Sequence, residues 1–236
     1  VAIKKINLKG LKKKKLKVNE LMVLKINRNP NLINYLDSFL LGDELWLVME
    51  YMDGGPLSDI IGKTCLSEDH IAAISQECLQ GLDFLHSNHI IYRDVKSCNI
   101  LLRTNGSVKL GQYILGQVQC SRDVGLLGVT ASSPEMVLVA VQGHLLAVTD
   151  VKAAGGASCF LCRQAQLLTA RGERPQLRQP NRFSSCLCDF LSCCLQTDVK
   201  CRWSAKELLQ HPFVRSAKPA SSLAPLINSI KKKKKK

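Results

Sequence analysis

Between Tyr92 and Asn99 the chain sets a carboxylate at Asp94, an ammonium at Lys96 and an amide at Asn99, just ahead of the apolar run Ile100-Leu101-Leu102. Phosphoryl transfer calls for such a set, because its loose transition state needs positioned groups and neutralised charge more than covalent chemistry. In that reading Asp94 accepts the proton of a hydroxyl nucleophile. Lys96 stabilises charge on the moving phosphoryl group, and Asn99 holds a metal ion through its amide oxygen. The plain alternative is an ordinary polar loop.

Such a loop needs elements to hold it. Residues 1–8 alternate well enough for a strand, with Val1, Ile3 and Ile6 expected to face inward and Lys4 on its length. Residues 16–26 predict a helix with Val18, Leu21 and Leu24 on its apolar face, and Glu20 where an ion pair with a strand lysine needs it. Asn29-Pro30-Asn31 breaks the chain. Residues 32–41 and 44–51 predict two strands joined at Gly42-Asp43. The second loosens into Met49-Glu50-Tyr51-Met52-Asp53-Gly54-Gly55, which suits a hinge whose backbone meets the edge of an adenine ring.

Ser67-Glu68-Asp69 is a good helix start, a capping serine followed by an acidic first turn. Ile71, Ile74, Cys78, Leu82 and Leu85 then recur at helical spacing and predict a core-facing helix ending near Ser87-Asn88. Residues 99–102 and 107–110 predict a short hairpin around Asn105-Gly106. Residues 111–182 carry little regular pattern. Order returns at 183–195, read as a helix, and at 205–210, a second helix capped by Ser204. Past Pro219 the tail is polar and is expected to be mobile. No internal repeat is present.

At 236 residues and 46% hydrophobic composition the chain has material for one sizeable core or two lobes. The formal charge of +14 is concentrated in lysine runs at 12–15 and 231–236. These runs predict solvated segments with a weak attraction to anionic lipid, nucleic acid or an import receptor. No base-reading motif accompanies them, so no sequence-specific nucleic-acid partner is expected. No window approaches the roughly 18 apolar residues of a membrane span. The start at Val1 without a secretory signal leads to the expectation of a fragment of a longer domain, in a cytoplasmic or nuclear protein. Eleven cysteines then read as reduced thiols. A zinc site among Cys159, Cys162, Cys186, Cys188, Cys193 and Cys194 is not expected, because no second C-x-x-C and no nearby histidine completes a set.

On these residues the chain resembles a eukaryotic Ser/Thr protein kinase domain, most closely the p21-activated kinase (PAK) family. The match is carried by NLINYLDSFLLGDELWLVME (31–50), by residues 80–110, and by 198–223 with its SAKELLQHPF. The loop fits the pattern H-R-D-L-x-x-x-N with Tyr92 in the His position. The resemblance implies an α+β, bilobal fold. Residues 1–52 would form a partial N-lobe whose truncated sheet lacks the Gly-rich loop. Residues 53–217 would form a mainly helical C-lobe with a degenerate stretch at 111–182, followed by a mobile basic tail at 218–236.

The resemblance also implies roles. Lys4 would bind the nucleotide's phosphates and Glu20 would pair with it. Met49 would be the gatekeeper, and Glu50 and Met52 would offer hinge backbone groups to adenine. Leu101 would pack beneath the base. Asp94 would be the catalytic base, Lys96 the phosphate-steering lysine and Asn99 a magnesium ligand. Glu135 would pair with Arg202.

The departures matter as much. The family's T-D-F-G reads Gly111-Gln112-Tyr113-Ile114 here, and no carboxylate follows until Asp123. Losing the charged ligand that places Mg²⁺ is expected to cost about 4 kcal/mol, roughly a thousandfold in rate. The resemblance implies ATP and Mg²⁺, with the metal called into question by this loss. Three functions follow: a pseudokinase-like module that binds a protein partner, a residual Ser/Thr kinase acting on protein substrates, or a decayed copy without function.

Overall fold

Strand β3 (Glu44–Met49) organises the first sheet, with Leu45 and Leu47 buried on one face. It pairs antiparallel with β1 (Ala2–Asn7) on one side and with β2 (Tyr35–Leu41) on the other. Gly42, at φ 59°, supplies the left-handed residue that the β2–β3 turn requires. The computed structural model describes residues 1–9, 28–90, 92, 95, 97–111, 183–196 and 201–234. The expected helix at 16–26, with Glu20, and residues 112–182 lie outside them.

The inward face of β1 differs from expectation. Val1 and Ile3 are 78% and 49% exposed, whereas Ala2, Lys4 and Ile6 are half-buried. Parity is the reason. Ile3 and Ile6 lie on opposite faces of any strand, and the register sets Lys4 opposite Leu47 and Ile6 opposite Leu45. On the outer face the Lys5 ammonium sits 3.9 Å from the centre of the Trp46 ring.

The second sheet, in the order β4-β5-β6, joins β4 (Gly55–Pro56), β5 (Ile100–Leu102) and β6 (Val108–Leu110) antiparallel. Helix α1 (Leu57–Ile61) leaves β4, and α2 (Glu68–Ser87) forms the centre of the core. Ser67 caps α2 by accepting from the His70 amide, and the His70 ring accepts from the Ser67 amide in return. Ile71, Ile74, Cys78, Leu82 and Leu85 are buried along one stripe, as their spacing predicts. Gly81 lets the Asn31 carbonyl and Leu110 approach α2, since a Cβ there would meet both at 3.2 Å.

Helices α3 (Ser185–Cys194), α4 (Ala205–Leu208) and α5 (Pro212–Arg215) follow. Ser204 caps α4 in a box with Glu207, and hydrogen bonds from Ser204 hold the Glu207 carboxyl below its usual range. Ser184 ties α3 to the start of α2 by donating to Glu68 through its amide and hydroxyl.

The tail departs most from expectation. A short 3-10 turn (Ala220–Leu223) leads into helix α6 (Ala224–Lys234), with Leu223, Ile227 and Ile230 buried. These three residues form a narrow apolar stripe at helical spacing, which lysine-rich composition obscures. Among the described residues no helix is long and apolar enough to cross a membrane. The architecture is mixed α and β, as the fold reading requires.

Candidate functional site

The loop that carries Asp94 is anchored by its neighbours. Arg93, Asp94 and Lys96 lie outside the described residues, while Tyr92, Val95, Ser97 and Asn99 are buried. The Tyr92 hydroxyl donates to the Gly111 carbonyl. The Gly111 amide in turn donates to the Asn99 carbonyl at 2.7 Å. Both ends of the loop are thereby tied to the residue that follows β6, one position before Gln112. Space there is tight, since a Cβ on Gly111 would meet Leu101 at 3.0 Å.

A cavity of about 570 Å³ opens beside this loop. The inward face of β1 contributes Ala2 and Lys4, the end of β3 contributes Met49, and the connection that follows contributes Glu50 and Met52. Leu101 lies on the opposite side with Gly111. These are the residues for which nucleotide roles are implied, apart from Glu20. The walls are mainly apolar, with polar groups at few points, the usual composition of a small-ligand site. Along the hinge, the Glu50 amide donates to Asn34 O at 3.0 Å and the Met52 carbonyl accepts from Gly55 at 3.1 Å. Among the described residues the Glu50 carbonyl and Met52 amide take part in no hydrogen bond. An acceptor and a donor of this kind suit the edge of an adenine ring.

The Glu50 side chain has a separate task. Its Oε1 accepts from Lys109 Nζ at 2.7 Å and from the Asn34 amide at 2.6 Å, and its Oε2 accepts from Arg103 at 3.0 Å. Glu50 therefore clamps the hinge onto the β5–β6 hairpin. Sequence reasoning also missed Asp53. Its carboxylate accepts from the Thr104 amide at 3.0 Å and hydroxyl at 2.7 Å, and pairs with Lys231 at 3.2 Å. The Thr104 hydrogen bonds, and then Lys231, hold its carboxyl down to about 2. Three further missed residues, Ile227, Ile230 and Lys231 of α6, line the same cavity.

Among the described residues of the loop, Asn99 offers a divalent cation only a neutral amide oxygen. Hard cations are held by carboxylates and other oxygens. Here the buried Asn99 amide is neutral, and the chain offers no carboxylate between Leu110 and Asp123. An adenine ring, by contrast, fits the groups present. Arg202, from its guanidinium Nε and terminal nitrogen, donates to the Gln196 carbonyl at 3.0 and 2.7 Å, and Glu135 lies outside the described residues.

Contrary to expectation, the fold brings a histidine to the cysteines of α3. Ligand atoms of Asp189, Cys193 and His211 lie within 4.8 Å of one another. Their chemistry argues against a metal. His211 Nδ1 accepts from the Phe213 amide at 3.2 Å, so in the neutral ring the proton sits on Nε2, facing Asp189 at 3.2 Å. A metal-bound histidine shows the opposite pattern, donating from its second nitrogen. Burial, and then the Asp189 carboxylate, also raise the Cys193 thiol above its usual range, which disfavours the thiolate a metal needs.

A family model for the protein kinase domain matches residues 1–124. The chain is 45% identical to mouse serine/threonine-protein kinase PAK 1 across 98% of its own length and 45% of the relative's. It is 39% identical to serine/threonine-protein kinase pak-1 of Caenorhabditis elegans, over 98% of the chain and 43% of that protein. Against shk1/pak1 of Schizosaccharomyces pombe the identity is 39%, over 98% and 37%. The chain thus spans less than half the length of these relatives.

Proposed function

Because the chain belongs to the protein kinase domain family and stands close to the p21-activated kinases, we propose that it binds an adenine nucleotide at the hinge and serves as a protein-docking module with impaired phosphotransfer. The carrying observation is a mismatch within one site. Lys4, Met49, Met52 and Leu101 line a cavity of about 570 Å³, whereas the residue that follows Gly111 in the sequence is Gln112, where the family has a carboxylate. In this reading the Glu50 carbonyl and Met52 amide orient the base, Met49 and Leu101 exclude water from its faces, and Lys4 meets the phosphates. The nucleotide supplies a transferable phosphoryl group when bound. In this reading Asp94 takes a hydroxyl proton, but proton removal is a minor part of a loose transition state.

A second reading, a residual ATP-dependent Ser/Thr kinase, draws support from the relatives, which are named kinases, and from the Tyr92–Gly111 anchor. Thermal unfolding with ATP, with and without Mg²⁺, separates the two. A metal-independent rise in melting temperature supports the module. A magnesium-dependent rise, together with transfer to a peptide that Asp94→Asn abolishes, supports the kinase. A cooperative melt that no nucleotide shifts rules out both.

A further inference from the structure

Helix α6 ends in charge. Lysine fills every position from 231 to 236, the helix runs through Lys234, and no acidic residue follows Glu207. Three separate anchors fix the helix against the hinge and the β5–β6 turn. Asn228 donates from Nδ2 to the Thr104 carbonyl at 3.1 Å, and Lys231 pairs with Asp53 at 3.2 Å. Gly106, at φ 97°, passes so close to Ala220 and Ser221 that a Cβ would run into their backbone. Leu223, Ile227 and Ile230 are buried, whereas Lys232 is exposed. The lysine run therefore starts where an anchored helix leaves the core.

We propose that the lysine end of α6 docks the protein on an anionic lipid surface. Successive helical positions turn by about 100°, so the run from 231 surrounds the helix axis instead of lining one face. Such a crown suits a flat sheet of negative charge. Lysine clusters of this size at the end of an amphipathic helix are drawn to anionic headgroups, with about fivefold in binding per lysine. Asp53 already neutralises Lys231, which leaves positions 232–236 for the lipid. A single-stranded nucleic acid is the poorer fit, because its binding combines a groove with aromatic stacking, and no aromatic residue follows Phe213. The apolar stripe of α6 is committed to the core, so the contact is electrostatic, reversible and sensitive to salt. The inference is independent of the nucleotide reading above.

The test uses the full chain and vesicles of phosphatidylcholine, alone or mixed with phosphatidylserine at roughly 3:1, in about 0.1 M salt. Sedimentation with the mixed vesicles alone is expected, with release at about 0.5 M salt. Lys235→Gln with Lys236→Gln should weaken binding roughly twentyfold, and glutamine at all five positions 232–236 should abolish it. Glutamine keeps helix propensity close to that of lysine, so this loss does not come from melting α6. Glutamine at positions 12–15, the other lysine run, should leave most of the binding. With ¹³C-labelled isoleucine methyls and a gadolinium-chelating lipid in the vesicles, Ile227 and Ile230 should broaden more than Ile71 at the start of α2. Vesicle binding that survives the five glutamines, or that is lost as completely with the 12–15 variant, overturns the proposal. So does equal sedimentation with phosphatidylcholine alone, or broadening of Ile71 as strong as that of the α6 pair. Tighter binding to single-stranded RNA than to the mixed vesicles at the same salt would overturn lipid as the partner.

Discussion

Replacing Glu50 by alanine should be among the most damaging single changes in the described chain. The Glu50 side chain is 12% exposed and that of Lys109 is 10%, so their 2.7 Å contact is a buried ion pair. Removing one partner of such a pair strands the other charge and costs about 3–5 kcal/mol. Arg103 is 39% exposed at its 3.0 Å contact, so its share is a few tenths of a kcal/mol at most, roughly. The Asn34 amide also loses its 2.6 Å acceptor, a further loss of about 1 kcal/mol. These terms share one carboxylate and do not add fully, which places the expected loss near 4 kcal/mol, roughly. Against a total stability of about 5–15 kcal/mol, that is severe.

Urea titration provides the assay. With a slope of about 2 kcal/mol per molar, the midpoint should fall by roughly 2 M at unchanged slope. The combined variant Glu50→Ala, Lys109→Met removes the stranded charge and should recover part of the loss. A midpoint shift below about 0.5 M for Glu50→Ala, or no recovery in the double variant, would refute the clamp.

Other predictions bear on the remaining contacts. Gly106→Ala should cost about 2–3 kcal/mol and undock α6, seen as faster proteolysis beyond Pro219, because φ 97° and the nearby Ala220 backbone both oppose a Cβ. Asp53 has its carboxyl lowered to about 2 from 3.8, so its stabilising contribution is complete above pH 4 and is lost as the pH falls toward 2. Asp53→Asn should therefore flatten the acid limb of the stability curve in that window, and an unchanged limb would contradict the Thr104 and Lys231 contacts. Glu77 runs the other way. Burial raises its carboxyl above 4.5, against the 2.6 Å hydrogen bond from Asn31, so its ionisation opposes folding as the pH rises. Glu77→Gln should leave stability at pH 7 unchanged or higher, with any gain fading below about pH 4, measured by denaturant titration across pH.

What the sequence revealed tracks the range of the interactions involved. Helix α2 was legible because its cap Ser67 and its stripe from Ile71 to Leu85 are local patterns, and the two hairpins were legible through Gly42 and Gly106. The inward face of β1 was misassigned because apolar residues occur at both parities, and only pairing with Leu45 and Leu47 of β3 decides between them. Helix α6 was obscured because its apolar stripe is three residues wide beside a lysine run. The Asp53–Lys231 contact spans 178 positions and the Glu50–Lys109 contact 59, separations to which no local periodicity is sensitive. Lys4, Met49, Glu50, Met52 and Leu101, which line one cavity, were singled out through the family resemblance, whereas the cavity's extension to Ile227 and Ile230 exists only in the folded chain.

The most direct measurement is the affinity of the full chain for ATP by calorimetry, with Mg²⁺ and then with a chelator. The Gln112 amide in place of a carboxylate predicts dissociation constants that agree within about twofold, since no charged ligand couples the metal to the nucleotide. Binding at least about tenfold tighter with Mg²⁺, accompanied by peptide phosphorylation that Asp94→Asn removes, would contradict it.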